Sequence, residues 1–327
     1  MKITIVTNEY PDGWNPKDFH TGMLGGSEEA IILFAEELVR RDHEVTIYHT
    51  KKEGELSEIY NGVQYKDSRY FIYDYDSTLI SFQSLDRLSH IPHGTDTIIH
   101  WSCEVEKYKP LGNVDYFVNL SDFHRSRHFF VPAEKSKVIP LGIDKALLDQ
   151  NKVEREEDTM LYCSSPDRGL AVLLDQWPQI KKHHPTLKLR IAYGFTHIRS
   201  VEYRNKNITR FIKKLFELMD QEDVEYLGAL SKEDISKEYW RNKYWCLPLY
   251  NAESELFCLN AIKSKYCGAI PVVNKIGALK NTVGEYISYK NFIDGSLEKS
   301  DVGSVPVPAL TWSEVIDTYW SKLLTNS

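Results

Sequence analysis

Residues 252–273 read AESELFCLNAIKSKYCGAIPVV. Two carboxylates, Glu253 and Glu255, precede a run in which Leu259, Ile262 and Tyr266 recur at three- and four-residue spacing, the stripe that a buried helix face requires. Cys267-Gly268 ends that helix, and residues 269–273 (AIPVV) read as a short buried strand. Helix, glycine and apolar strand in succession are the repeating unit of a parallel sheet covered by helices. A carboxylate on a loop before a helix suits a polyhydroxylated ligand, because it accepts two hydroxyl protons at once. An acidic residue near the N-terminus of a surface helix is the plainer alternative.

The same grammar opens the chain. A strand over 2–7 runs into a polar loop over 8–23 that contains Pro11, Gly13, Pro16 and Gly22. Gly25-Gly26-Ser27-Glu28-Glu29 then starts an amphipathic helix to about Arg41, and a strand follows over 45–49. Adjacent glycines let backbone N–H groups approach a ligand, and a helix N-terminus favours an anion. The pair is not GxGxxG, and no acidic residue ends the second strand, so a dinucleotide is not expected. Glycines that merely make a tight turn carry equal weight here.

Further strands are expected over 79–82, 97–101, 116–120 and 137–140. The charged stretch 150–158 marks a boundary, after which strands restart at 160–163 and continue at 188–193, 224–227 and 245–249, with helices over 169–184 and 232–239. Residues 196–221 are basic and then largely helical, and 301–308 read as a linker. A last amphipathic helix, 311–324, is capped by Thr311 with Glu314 at the capping-box position. The expected organisation is an N-terminal Rossmann-like domain over 1–150, a second over 151–308, and a terminal helix over 309–327 that returns to the first.

Length and composition agree. At 327 residues the chain is long for one core and suits two α/β domains. Hydrophobic and charged contents of 42% and 27% describe a globular protein. A net charge of -7 argues against nucleic acid as a partner, which wants a basic surface. The five cysteines are scattered without CxxC or Cys/His spacing, so free thiols in a reducing compartment, the cytoplasm, are expected. The N-terminus reads as a first strand rather than a signal peptide. No stretch of about 18 apolar residues spans a membrane, which leaves peripheral attachment open.

The order of several short motifs resembles the retaining glycosyltransferases of the two-domain GT-B architecture, in particular glycosyltransferase family four. The matching pieces are Gly25-Gly26-Ser27-Glu28 with His43-Glu44-Val45-Thr46, then Leu120-Ser121-Asp122-Phe123, Ile139-Pro140-Leu141-Gly142-Ile143-Asp144, residues 164–169, Tyr226-Leu227-Gly228 and residues 255–273. The resemblance implies two Rossmann-like domains with parallel sheets facing a central cleft. It implies that Arg168 binds the diphosphate of a nucleotide sugar, that Glu255 holds the sugar hydroxyls, and that the Gly25-Gly26 loop approaches the diphosphate. Ser165, Gly169, Tyr193, Gly194, Leu230, Leu256, Phe257, Cys258, Leu259 and Lys263 fall on the donor-binding positions. The catalytic set it implies is Glu255, His100 and Arg168, with Cys103, Glu104, Ser121 and His124 toward the acceptor or sugar.

Three departures stand out. Lys263 occupies the second carboxylate place of the E-x7-E motif, where the ribose is usually held. No arginine lies a few residues before Arg168. The usual histidine after the fourth strand falls on either His100 or Cys103, the latter followed by Glu104. Elsewhere, Phe123-His124-Arg125-Ser126-Arg127-His128-Phe129 reads as a solvated basic face or a phosphate-facing acceptor site, with flanking arginines that disfavour a metal. Asp74-Tyr75-Asp76 lies in the wrong half for a metal dyad.

The expected activity is therefore transfer of a hexose or deoxyhexose from a UDP- or GDP-linked donor to a hydroxyl, with retention, without an obligatory metal or cofactor. The acceptor is a glycan, free or linked to lipid or protein. A sugar-nucleotide epimerase and a non-catalytic glycan- or nucleotide-binding relative are the alternatives.

Overall fold

The computed structural model describes residues 1–7, 13–21, 24–51, 57–73, 76–83, 85–88, 91, 97–107, 111–195, 206–252, 255–301, 303 and 306–324. Glu253, Asp74, Tyr75, the basic stretch 196–205 and parts of the loop 8–23 and the linker 301–308 lie outside the described residues. The chain divides into two compact units. One comprises Met1–Phe19, Leu24–Gly142 and Leu310–Ser327, and the other His20–Met23 and Ile143–Ala309.

The first unit is built on an eight-stranded sheet. Its strands are β1 (Lys2–Thr7), β2 (Glu44–His49), β3 (Glu58–Tyr60), β4 (Val63–Asp67), β5 (Thr78–Phe82), β6 (Ile98–Trp101), β7 (Tyr116–Asn119) and β8 (Ser136–Val138). They lie in the order β3-β4-β2-β1-β5-β6-β7-β8, parallel except for the antiparallel β3–β4 pair. Ile3, Ile5 and Val6 of β1 are buried, as a central strand covered on both faces demands. The helix Gly26–Arg40 crosses from β1 to β2, and Phe34 at its middle is fully buried.

Phe34 also meets the end of the chain. Its ring centroid is 4.6 Å from Trp320 and 5.1 Å from Trp101, and Trp101 is 5.1 Å from Trp320. Trp312 joins the same nest, 5.7 Å from Phe34, and its helix starts at Thr311, whose capping box with Glu314 is fully formed. The segment is not one α-helix. Trp312–Val315 and Ser321–Leu324 are α-helical, and Ile316–Trp320 between them has the wider π turn. The Ile316 carbonyl accepts from the Ser321 N–H, the five-residue bond of the wide turn, and also from the Ser321 hydroxyl at 2.8 Å. Arg41, just past Gly26–Arg40, reaches Asp317 at 2.6 Å and the Ser313 hydroxyl at 2.8 Å.

The second unit holds seven strands, β9 (Glu156–Tyr162), β10 (Lys188–Ile191), β11 (Val224–Tyr226), β12 (Asn242–Leu247), β13 (Ile270–Val273), β14 (Glu285–Ser288) and β15 (Lys299–Asp301). Their order is β11-β10-β9-β12-β13-β14-β15, again parallel except for the last pair, β14 with β15. β9 begins at Glu156, inside the charged stretch that reads as strand-free. Its exposed start is carried by ion pairs to β12 and the helix before it, Lys243 with Glu157 at 2.7 Å and Arg241 with Glu156 at 3.2 Å. The helix Leu170–His183 follows β9, and Lys206–Met219 follows β10.

The opening stretch folds as a helix, Leu259–Tyr266, ending at Gly268 with φ +83° and entering β13. Ala269 N–H donates to the Ser264 carbonyl at 2.9 Å and Gly268 N–H to Lys265 at 2.8 Å, the bonds that close a helix at a left-handed residue. The fold is α/β, with two parallel-dominated sheets. Each sheet starts in its middle, builds outward to one side and then returns to the other, so its order reverses between β1 and β5 and between β9 and β12. Ligands of open α/β sheets bind outside the carboxyl ends of the strands at such a reversal.

Candidate functional site

In the second unit the reversal carries charge. The chain leaves β9 at Tyr162 and turns through Ser165 and Arg168 into the helix Leu170–His183. It leaves β12 at Leu247 and reaches Glu255 just ahead of Leu259–Tyr266. The two loops bring Arg168 Nη1 to 3.0 Å from Glu255 Oε2. Arg168 has a third of its side chain in solvent, and Glu255 is buried.

The turn that aims Arg168 is over-determined. The Ser165 carbonyl accepts from the Tyr162 hydroxyl at 2.7 Å and from Arg168 N–H at 2.9 Å, while the Ser165 hydroxyl donates to the Asp167 carboxylate. Gly169 has φ +99°, and a Cβ there would stand 2.8 Å from the Pro248 carbonyl oxygen. Only glycine fits a left-handed residue pressed against a neighbouring backbone. The guanidinium thus sits immediately before a fourteen-residue helix, whose N-terminal N–H groups favour the same anion.

Glu255 is held from three sides. Burial raises its carboxyl above the usual range, and the Arg168 charge, the Cys258 thiol and the Phe257 N–H work against that rise. Its carbonyl accepts from Ala278 N–H at 3.1 Å. Gly277 (φ +53°) lets that loop close in, since a Cβ there would lie 2.5 Å from the Ala252 carbonyl oxygen. Phe257, Cys258 and Leu259 are buried beneath the loop, and Leu256 is half-buried. A carboxylate and a guanidinium fixed 3.0 Å apart can hold two parts of one ligand, a hydroxyl-bearing group and an anionic group.

Sequence reasoning did not single out Asn260, Gly277 or Gln83. Asn260 Nδ2 donates to the Cys163 carbonyl at 2.9 Å and Oδ1 accepts from the Tyr239 hydroxyl at 2.8 Å, so it rivets the end of β9 to Leu259–Tyr266. A lone amide in the first turn of an apolar helix is the signal that marks it. Lys263 lies one turn further along, half-buried, and its charge opposes the burial that pushes the Cys163 thiol up to about 11. Tyr193, Gly194 and Leu230 lie beyond the ends of β10 and β11, one and two strands outward from β9. The Tyr193 carbonyl accepts from the Tyr226 hydroxyl at 3.0 Å, and a Cβ on Gly194 would meet Ala229 at 2.7 Å.

In the first unit the reversal lies between β1 and β5. Gly25 is the N-cap of Gly26–Arg40. Gln83, at φ +57° just past β5, donates to the Ser27 hydroxyl at 3.3 Å across the reversal. Cys103 lies in the loop after β6. Burial, then Glu104, Glu28 and Glu106, keep its thiol well above the usual range, hence protonated and a poor nucleophile. Burial and Glu106 also raise Glu104.

The remaining residues form a buried histidine cluster. His100 is completely enclosed in β6, with Nε2 3.2 Å from Glu106 Oε1 in the loop after β6. His124 Nε2 donates to the Glu104 carbonyl at 2.7 Å, and its Nδ1 accepts from Leu120 N–H at 3.2 Å. His128 Nδ1 donates to Asn119 Oδ1 at 2.7 Å, and its Nε2 accepts from Glu106 N–H at 2.8 Å. Burial lowers both rings to about 4, so they are neutral. Ser121 is the N-cap of the short helix Asp122–Arg127, accepting from His124 N–H at 3.0 Å.

Comparison with known proteins follows the same lines. Residues 144–299 match the family model described as Glycosyl transferases group 1. Three solved structures are similar over essentially the whole chain. Sucrose-phosphate synthase from Thermosynechococcus elongatus is 13% identical with a TM-score of 0.61, covering 100% of this chain and 90% of that one. A glycosyltransferase involved in avilamycin A biosynthesis is 15% identical with a TM-score of 0.61, covering 100% and 98%. Anabaena HepE in complex with UDP and glucose is 12% identical with a TM-score of 0.57, covering 99% and 92%. No curated protein sequence matches the chain. At these identities the structures show the fold, which is GT-B. Fold and family match together point to glycosyl transfer as the class of chemistry.

Proposed function

We propose that the chain is a retaining glycosyltransferase that takes a hexose or deoxyhexose from a nucleotide-diphosphate sugar. The observation that carries the reading is the Arg168–Glu255 pair, 3.0 Å apart at the order reversal of the second sheet, inside the residues that match the group 1 family. Arg168 and the N-terminus of Leu170–His183 take the diphosphate and stabilise the negative charge that grows on it as the glycosidic bond breaks. Glu255, carrying its charge through the guanidinium beside it, accepts hydrogen bonds from the sugar hydroxyls. Charge stabilisation by a guanidinium and helix amides does not require a divalent cation, and the transfer is proposed to be metal-independent. Lys263 donates rather than accepts, so a ribose hydroxyl would bind it through an oxygen lone pair.

The acceptor is a hydroxyl of a glycan or glycan-bearing molecule. A UDP- or GDP-linked donor is proposed, because that class fits a diphosphate site followed by a hydroxyl-binding carboxylate. The test is incubation with a panel of UDP- and GDP-sugars. Slow release of nucleoside diphosphate from one donor, lost in Arg168→Ala, supports the transferase. A changed sugar with no released diphosphate indicates an epimerase, and binding without turnover indicates a non-catalytic relative.

A further inference from the structure

Asn260 ties together the two segments from which the charged pair departs. Its Nδ2 donates to the Cys163 carbonyl at 2.9 Å and to the Ser164 hydroxyl at 3.3 Å. Those two groups stand just past β9, at the start of the turn that carries Arg168. Asn260 itself stands in the first turn of Leu259–Tyr266, the helix that the Glu255 loop enters. The other end of the amide is fixed as well. Oδ1 accepts from the Tyr239 hydroxyl at 2.8 Å, and that hydroxyl accepts from the Cys163 thiol at 3.9 Å. Tyr239, on the helix Lys232–Arg241, is buried, as are Cys163 and Ser164. Donors engaged on one side and an acceptor on the other leave the amide a single orientation, and a satisfied network at low dielectric is rigid.

The tie bears on the site because of what a ligand does there. A ligand that offers an anion to the Arg168 guanidinium and hydroxyls to the Glu255 carboxylate replaces the 3.0 Å bond between them. The spacing of the two loops then rests on the contacts beneath. Gly169 against the Pro248 carbonyl is a steric stop, which keeps the loops from closing further. The Asn260 hydrogen bonds resist the opposite motion, separation of the Arg168 turn from the helix behind Glu255. A displacement of about 1 Å in the groups that position a substrate lowers a rate about 10²-fold.

We propose that Asn260 is a positioning residue that sets the spacing of Arg168 and Glu255, an inference that rests on reading the pair as a nucleotide-sugar site. Variants of the full chain separate positioning from stability. Asn260→Asp keeps the acceptor for Tyr239 and loses the amide donors to the end of β9, whereas Tyr239→Phe keeps those donors and leaves Oδ1 unpaired. Both should lower the melting temperature. Release of nucleoside diphosphate from the donor should fall about 10- to 100-fold in kcat/KM for Asn260→Asp, and less than about threefold for Tyr239→Phe. Added to Arg168→Ala, Asn260→Asp should cost less than about threefold more, since a group already removed cannot be displaced. Amide hydrogen exchange reads the geometry without ligand. In Asn260→Asp the Arg168 N–H, bonded to the Ser165 carbonyl at 2.9 Å, should exchange about tenfold faster, with Met160 and Leu161 inside β9 unchanged. Equal kinetic losses in Asn260→Asp and Tyr239→Phe, or full additivity with Arg168→Ala, overturn the proposal. If the wild-type chain releases nucleoside diphosphate from no donor, the nucleotide-sugar reading falls by itself, and exchange decides the positioning. Faster exchange confined to the Arg168 turn then upholds it, and an unchanged Arg168 amide, or one that quickens together with β9, overturns it.

Discussion

Arg168 donates to Glu255 across 3.0 Å from a loop after β9 to a loop after β12, spanning the one place where the second sheet reverses its order. A pair so placed is expected to matter for ligand more than for folding. Arg168 is a third exposed, and a partly solvated ion pair adds little stability. Arg168→Ala should lower kcat/KM for the donor by about 10²- to 10³-fold while the melting temperature stays close to wild type. Arg168→Lys should recover only part of the loss, since an ammonium cannot offer a planar fork. Steady-state kinetics beside a thermal melt check both halves.

Two glycines set the pair's geometry by different contacts. Gly169→Ala puts a Cβ 2.8 Å from the Pro248 carbonyl oxygen, and Gly277→Ala puts one 2.5 Å from that of Ala252, both at positive φ. Each should cost about 1–3 kcal/mol in denaturant unfolding. Gly228, at φ +73° with nothing near its missing Cβ, gives the comparison. Its alanine variant should cost about 1 kcal/mol, from the backbone alone.

The terminal segment is anchored by aromatic burial rather than by charge. Trp320→Ala empties the space against Phe34 and Trp101 and should cost about 3–5 kcal/mol. Asp317→Ala breaks the 2.6 Å pair with Arg41 but, with the carboxylate largely in solvent, should cost less than about 1 kcal/mol. Equal costs in chemical denaturation would contradict that ranking.

Acid should unfold the first unit through its histidines. Burial depresses His49, His124 and His128 to about 4 each. Between pH 6.5 and 4 the unfolded chain therefore binds protons that the folded chain refuses. Stability is intact above about pH 6.5 and falls as pH drops toward 4, by up to about 1.4 kcal/mol per pH unit for each ring. His124→Gln with His128→Gln should lower stability at neutral pH and flatten the slope, as read from denaturation midpoints across that range.

Much of this architecture was legible because its signals are local. Cys267-Gly268 reads as a helix stop and Gly268, at φ +83°, follows the end of Leu259–Tyr266, and Thr311 with Glu314 forms the capping box that the spacing implies. The β3–β4 hairpin was harder to read. Asn61-Gly62 at its turn, with φ +48° and +81°, is a strong hairpin signal, but the flanking strands are short and mostly polar and leave no apolar run. The π turn at Ile316–Trp320 interrupts a segment whose capping box and apolar spacing read as one continuous α-helix. At the site, charged residues in a recognisable order drew attention to Arg168 and Glu255. Asn260 and Gly277 act through backbone carbonyls of distant segments, and only the folded chain brings those together. His100 illustrates the converse, a chemically suggestive side chain that tertiary packing encloses.

Isothermal titration of nucleoside diphosphate and of the matching nucleotide sugar, against wild type, Arg168→Ala and Glu255→Ala, tests the central claim most directly. Arg168→Ala should weaken both ligands, because both carry the diphosphate. Glu255→Ala should weaken the nucleotide sugar and leave the nucleoside diphosphate nearly unchanged. Wild-type affinity of Arg168→Ala for the diphosphate, or equal weakening of both ligands by Glu255→Ala, would contradict the assignment of phosphate to the guanidinium and sugar to the carboxylate.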